Sequence, residues 1–187
     1  METLFQVIVI IFYKIKRFFI KNKEKGNTQV NTSNPPFLLI KDYKSGLKEL
    51  LRSFNGNLAI TFSFNKDVSC GLNVDILEKT VRKWNSMFFS KIFGSRYYKH
   101  NKIENFHIVE HLNSDIHIHS LYKIEDKEYL NDPQKWILKY EDIANELFNK
   151  LWLSGTIYLD EKRDDGWIGY MLKEKHSPED YPFFILP

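Results

Sequence analysis

The sequence predicts an α+β fold, with a central, mainly antiparallel sheet and helices packed on one side of it. Three observations point there. Short β-rich apolar runs alternate with long segments of helical spacing, in the order β-α-β-β-α-β-α. Two of the strands follow each other across a turn signal, which makes an antiparallel hairpin. The chain is 43% hydrophobic and 16% aromatic, enough to cover such a sheet with a packed core.

The elements follow in chain order. Residues 1–20 form an apolar and basic N-terminal segment, beginning with the run LFQVIVIIFY at 4–13. Ten residues of helix rise only about 15 Å, roughly half a bilayer core. Extending the run to Ile20 would bury Lys14, Lys16 and Arg17, so a full span is not expected. A signal peptide does not fit either: Glu2 stands where a basic region belongs, and no small-residue cleavage site follows. Two readings remain, an interfacial helix whose basic residues face anionic lipid, or an element packing on this protein or a partner. Residues 21–36, KNKEKGNTQVNTSNPP, read as a flexible polar linker, and the folded domain is expected over 37–187.

Within that domain, 58–64 (LAITFSF) reads as a strand after Asn-Gly. Leu77, Val81, Trp84, Phe88 and Ile92 mark an amphipathic helix over 72–92. The basic, aromatic stretch 94–102 reads as an exposed loop or the lead-in to a strand. Residues 103–111 and 115–124 form the hairpin, with Asn113-Ser114 at its tip. Trp136, Tyr140, Ile143, Leu147 and Leu151 mark a second amphipathic helix over 136–153. A short strand covers 155–160. Asp164-Asp165 can then cap a helix from about 166 to 175.

Charge and cysteine content bound the function less sharply. The net charge is +3, but residues 1–26 hold six basic and two acidic residues, so the remainder is about −1. Any DNA site must therefore be a local basic patch on a nearly neutral body. Cys70 is the single cysteine, so no intrachain disulfide forms, which fits a reducing cytoplasm.

The hairpin carries the strongest chemical signal. His117 and His119 are two apart on a strand, so both imidazoles point to one face, with Ile116, Ile118 and Tyr122 on the other. A two-residue loop at Asn113-Ser114 pairs Leu112 with Asp115, and hence Glu110 with His117. Opposed residues share a face, about 5 Å apart. Two imidazoles and a carboxylate can hold one divalent cation and leave positions open. The blander alternative is a polar strand face with solvated histidines. His107 and His111 have the wrong parity, though His111 would join if the register slipped by one.

A second signal lies in 164–176, DDGWIGYMLKEKH. Tyr170 and Lys173 are three apart and share a helix face. A phenol is a poor nucleophile near neutral pH, and a lysine one turn on or a nearby metal lowers that barrier. Lys173 can also neutralise charge on a phosphate. Alternatively, Tyr170 packs with Trp167 and Met171 in the core. Tyr97, Tyr98 and Tyr181 are nucleophiles on chemistry alone.

These segments, in this order, resemble HUH-type endonucleases, which include rolling-circle replication initiators, relaxases and related transposases. AITFSFN (59–65) looks like the first motif of the initiators, HIH (117–119) with Glu110 like the metal motif, and YMLK (170–173) like the Tyr-x-x-Lys motif. The likeness covers roughly 57–176. The segment 84–99, the hairpin and GWIGYMLKE look more particularly like small bacterial plasmid and filamentous-phage replication proteins of the single-tyrosine class.

The resemblance implies an HUH/RRM-like sheet. It implies Mg²⁺ or Mn²⁺ on Glu110, His117 and His119, Tyr170 as nucleophile and Lys173 assisting. The implied reaction is site-specific nicking and joining of single-stranded DNA at a replication origin through a 5′-phosphotyrosine link. No G-x-x-x-x-G-K-[ST] loop occurs in the chain, so unwinding is expected from a host helicase, with a host polymerase extending the 3′ end. Lys91, Arg96, Lys99 and Lys102 are candidates for phosphate contacts, and Tyr97 and Tyr98 for base stacking. A solvated basic loop is the plainer reading of the same residues. The expected location is cytoplasmic, peripheral to the inner membrane if residues 1–20 touch lipid.

The rival functions are a non-catalytic nucleic-acid-binding domain of the same fold, an HUH transposase or relaxase, a His-His-Glu metal hydrolase using water, and a membrane-surface interaction protein.

Overall fold

The computed structural model describes residues 36–64, 73–97, 103–110, 115–162, 164–173 and 183–186. The chain divides into two compact units, Met1–Asp42 and Tyr43–Pro187, and the site lies in the second. The readings of residues 1–20 and of the linker 21–36 fall outside the described residues except at Pro36, where a helix begins. Among the described residues, no helix is long and apolar enough to cross a membrane.

Helix α1 (Pro36–Phe54) was not anticipated from the sequence. Its pattern is nonetheless regular: Leu47, Leu50, Leu51 and Phe54 recur at helical spacing and are buried. The helix stops at Asn55, which sits in the left-handed region at φ 51°. Gly56 follows because a Cβ there would run into the Leu121 side chain.

Strand β1 (Leu58–Ser63) leads to helix α2 (Val74–Phe93), which Asn73 caps by accepting from the Ile76 amide at 3.0 Å. The hairpin strands are β2 (Glu104–Glu110) and β3 (His117–Lys123). A short helix α3 (Lys127–Asn131) precedes α4 (Pro133–Leu151), whose start combines Asp132 as cap with Pro133 in the first turn. Strand β4 (Thr156–Glu161), helix α5 (Gly166–Met171) and strand β5 (Phe183–Leu186) complete the order.

The sheet order is β4-β1-β3-β2-β5, with every neighbouring pair antiparallel. Strands β1 and β2 both oppose β3, so they run parallel, with α2 as their crossover. By the same logic α4 connects β3 to β4 across β1. The expected α+β class and antiparallel sheet are thus present. The fifth strand, pairing Ile108 with Phe183 at the far edge, is an addition.

The main core lies between one sheet face and α2 with α4. Leu58, Ile60 and Phe62 of β1, and Ile118 and Tyr122 of β3, meet Trp84, Phe88 and Phe148 there. The Trp84 indole N–H donates to the Ala144 carbonyl at 3.0 Å and ties the two helices together.

The expectation of helices on one side only is corrected by the second face. That face holds Ala59, Phe106, Ile108 and Leu121, all buried yet outside the main core cluster. An apolar face cannot stay in water. Aromatic rings of α5 lie against His119 on this face, so helices flank the sheet on both sides.

Candidate metal centre and tyrosine helix

The hairpin register brings the three proposed ligands to one face. Glu110 pairs with His117 across β2 and β3, as the sequence predicts. Neighbouring β1 places Thr61 opposite His119 and Ser63 opposite His117. The tip itself, 111–114, with His111 and the Leu112–Asp115 pairing, lies outside the described residues.

Glu110, His117 and His119 each offer a ligand atom within 4.8 Å of the others. Glu110 and His119 are buried, and His117 is half-buried. His119 Nε2 lies 2.7 Å from Glu110 Oε2, and His119 Nδ1 lies 3.2 Å from Thr61 Oγ1. Burial pushes the His119 pKa below its ordinary value, against the hydrogen bond and charge of Glu110, which raise it. The charges of His117 and Lys173 act in the same direction as burial.

This donor set fits a divalent cation. Ligand atoms bound at about 2.1 Å sit about 3 Å apart when adjacent and about 4.2 Å apart when opposite around a six-coordinate ion, so donors now up to 4.8 Å apart must draw together to hold one. Neutral imidazoles offer the lone pairs such an ion needs, and three protein donors leave positions for water or a phosphate oxygen.

Helix α5 stands beside this cluster. The Tyr170 ring lies 4.9 Å from the His119 ring, edge to face, and the residue is 42% exposed. It is therefore not part of the core, whereas its neighbours Ile168 and Met171 are buried. Trp167 stacks on Tyr170 at 5.3 Å and meets His119 at 5.8 Å. Lys173 Nζ lies 3.9 Å over the Tyr170 ring.

The helix is shorter than expected and ends at Met171. A turn replaces it, with the Lys173 amide donating to the Tyr170 carbonyl at 3.1 Å, so Lys173 still returns to the tyrosine. At the other end, Asp164 Oδ1 accepts from the Gly166 amide at 2.7 Å. Asp165 stands in the cap position without a side-chain cap bond and pairs instead with Arg52 of α1 at 2.8 Å.

Of the basic and aromatic candidates around the end of α2, only Lys91, Arg96 and Tyr97 are among the described residues. Along α2, Trp84 packs on Phe62 at 5.0 Å and the later Phe89 packs on Tyr122 at 5.8 Å, opposite Leu58 and Asn105, so the helix ends toward the sheet end away from Glu110. Lys91 and Arg96 are exposed, and Lys91 adds a minor share to the lowering of the Glu146 pKa on α4, which the Lys150 hydrogen bond and charge mainly cause. Tyr97 packs on Phe89 of the main core at 5.9 Å, and burial raises its pKa. Tyr98, Lys99, Lys102 and Tyr181 lie outside the described residues.

Sequence reasoning missed Thr61 and Trp167 as neighbours of the cluster. Thr61 reaches His119 only through the long-range β1–β3 pairing. Trp167 had a local signal, its place three residues before Tyr170, which puts the two on one helix face.

The fold and site define a class: an antiparallel α+β protein with a His-His-Glu cluster able to hold one cation beside a solvent-facing tyrosine. No protein-family model, no curated protein and no solved structure matches this chain.

Proposed function

We propose that the protein nicks and rejoins single-stranded DNA through Tyr170, with a divalent cation on Glu110, His117 and His119, to start rolling-circle replication of a plasmid or phage. The observation that carries this reading is the exposed Tyr170 ring standing directly against His119. A metal cluster alone would serve many hydrolases, whereas a reachable phenol beside it supports covalent catalysis. The β-α-β-β-α-β plan with split crossovers also supports the HUH/RRM-like core that the sequence resembles.

In the reaction, Tyr170 Oη attacks a backbone phosphorus and the P–O3′ bond breaks. The DNA 5′ phosphate becomes joined to the tyrosine. The phenol loses one proton and the departing 3′ oxygen gains one, leaving a 3′-hydroxyl for a host polymerase. Attack by a 3′-hydroxyl on the same link rejoins the strand. A cation in the cluster supplies Lewis-acid polarisation of the scissile phosphate. With two imidazoles among three donors, Mn²⁺ suits the site better than Mg²⁺, which prefers oxygen ligands. Lys173 brings positive charge to the tyrosine and to the phosphate it attacks.

A 3′-labelled pool of random single-stranded oligonucleotides, incubated with the protein and Mn²⁺, tests this. The expected product is a labelled covalent protein adduct that is absent with EDTA and absent in Tyr170→Phe. Cleavage without an adduct would move the reading to a hydrolase using water. An adduct that persists in Tyr170→Phe would move the nucleophile.

A further inference from the structure

The buried ring of His119 has both nitrogens engaged, Nε2 by Glu110 at 2.7 Å and Nδ1 by Thr61 at 3.2 Å. A carboxylate only accepts hydrogen bonds, so a neutral ring paired with the Glu110 carboxylate carries its proton on Nε2. Nδ1 then carries a lone pair, and the Thr61 hydroxyl donates to it. A cation that takes Nε2 reverses the requirement. Nε2 must give up its proton, the ring stays neutral by carrying one on Nδ1, and Thr61 Oγ1 must then accept.

We propose that Thr61 is a positioning residue for the metal centre: its hydroxyl, able both to donate to and to accept from Nδ1, keeps the buried ring paired in either tautomer and so lets Nε2 turn to a cation.

The sequence of proton moves balances, one leaving Nε2 and one arriving on Nδ1, with no change in ring charge. The chemistry at position 61 is restrictive. A valine would leave Nδ1 unpaired inside the protein in both states. A carbonyl or carboxylate would serve only the cation-bound tautomer. A hydroxyl serves both, and β1 holds it opposite His119 by backbone pairing rather than by chance of a loop. Ligating histidines generally depend on a partner at the second nitrogen to fix the ring. Here that partner comes from β1, which contributes no ligand of its own.

The inference rests on the metal part of the proposed function and not on DNA chemistry. Its test uses the full chain labelled with ¹⁵N-histidine and Zn²⁺ as a diamagnetic probe. The His119 ring should carry its proton on Nε2 without metal and on Nδ1 with Zn²⁺. Calorimetry with Mn²⁺ adds the variants. Thr61→Ser, which keeps the hydroxyl, should bind within about threefold of the unaltered protein. Thr61→Val should bind about 10- to 100-fold more weakly. Coordination through Nδ1, a valine variant as tight as the unaltered protein, or a serine variant as weak as valine would each overturn the proposal. Should the valine variant fail to fold, the nuclear resonance experiment on the unaltered chain still decides. A protein that follows this pattern yet forms no DNA adduct would sink the nicking reading alone.

Discussion

Two histidines of one hairpin, His107 and His119, are equally inaccessible to solvent and face opposite sides of the same sheet. Their surroundings differ in kind. His107 lies among Tyr122, Asn105 and Ser120 in the main core, with Nε2 2.7 Å from Asn105 Oδ1 and Nδ1 2.7 Å from Ser120 Oγ. The amide oxygen accepts, so Nε2 donates and the serine hydroxyl donates to Nδ1. One neutral tautomer is satisfied by these two partners, and burial lowers its pKa to about 3. His119 instead faces a carboxylate, a second imidazole and an exposed phenol. Burial alone does not mark a functional histidine. What separates the two is whether the partners are neutral and closed around the ring, or charged and converging on a shared point.

The sharpest test of that contrast swaps the losses. His119→Gln should weaken Mn²⁺ binding by more than about 100-fold, since a ligand is gone. His107→Gln should leave Mn²⁺ affinity within about threefold but lower folding stability by about 2–4 kcal/mol, because a fully paired buried network is broken. Calorimetric titration and urea denaturation of both variants read the two effects. If His107→Gln lost the metal while remaining fully folded, the division between the two faces would be wrong.

Acid separates them next. His107 is held neutral in the folded state to about 3, while the unfolded ring protonates near 6.5. Its folded pKa is depressed, so the stability it contributes is complete above about pH 6.5. It is lost progressively as pH falls toward 3, because the unfolded chain takes up the proton first. The slope from this one group is at most about 1.4 kcal/mol per pH unit. Urea midpoints measured from pH 7.5 to 4.5 should fall in the unaltered protein, and in His107→Gln the fall should be shallower by one proton's worth.

A third comparison stays on the site face. Lys173→Met keeps a side chain of similar length over Tyr170 but removes its charge. Adduct formation should slow by about 10- to 100-fold, less than the roughly 10²–10³ lost with a buried transition-state donor, because Lys173 is exposed. Mn²⁺ affinity should be nearly unchanged, since Lys173 is not a ligand. An unchanged single-turnover rate would leave Lys173 a surface residue that rests on a ring.

How much of this was readable in advance follows from the range of each interaction. The Glu110–His117 register was legible because strand side chains alternate and a short loop fixes the pairing. The opposite placement of Ile118 and Tyr122 followed from the same parity. The pairing of β1 with β3 was not legible, since nothing local selects which strands become neighbours, and with it went Thr61. Helix α1 carries a plain pattern at Leu47, Leu50, Leu51 and Phe54, but it follows directly on a polar stretch that reads as linker. The second helical layer was missed for a related reason: α5 is only six residues long, too short for periodicity to say which way it faces. Strand β5 is a four-residue edge piece, below what propensity resolves.

The smallest expected effect concerns the basic end of α2, where sequence reading placed phosphate contacts. Lys91 and Arg96 are exposed, but they sit at the end of the sheet away from Glu110, on the layer that covers the opposite face. Phosphate contacts near a scissile bond act over a Debye length of about 10 Å at ordinary salt, which a helix of this length exceeds. The double variant Lys91→Ala/Arg96→Ala should therefore form adduct on a short oligonucleotide within about twofold of the unaltered rate. Its stability should change by less than about 0.5 kcal/mol, as for other exposed charges. A longer single strand makes the same pair informative in the other direction. If affinity for a strand of several tens of nucleotides falls with the two charges removed while short-strand nicking holds, the DNA path runs around the sheet edge to the helical layer, and the two faces cooperate through the strand rather than through the protein.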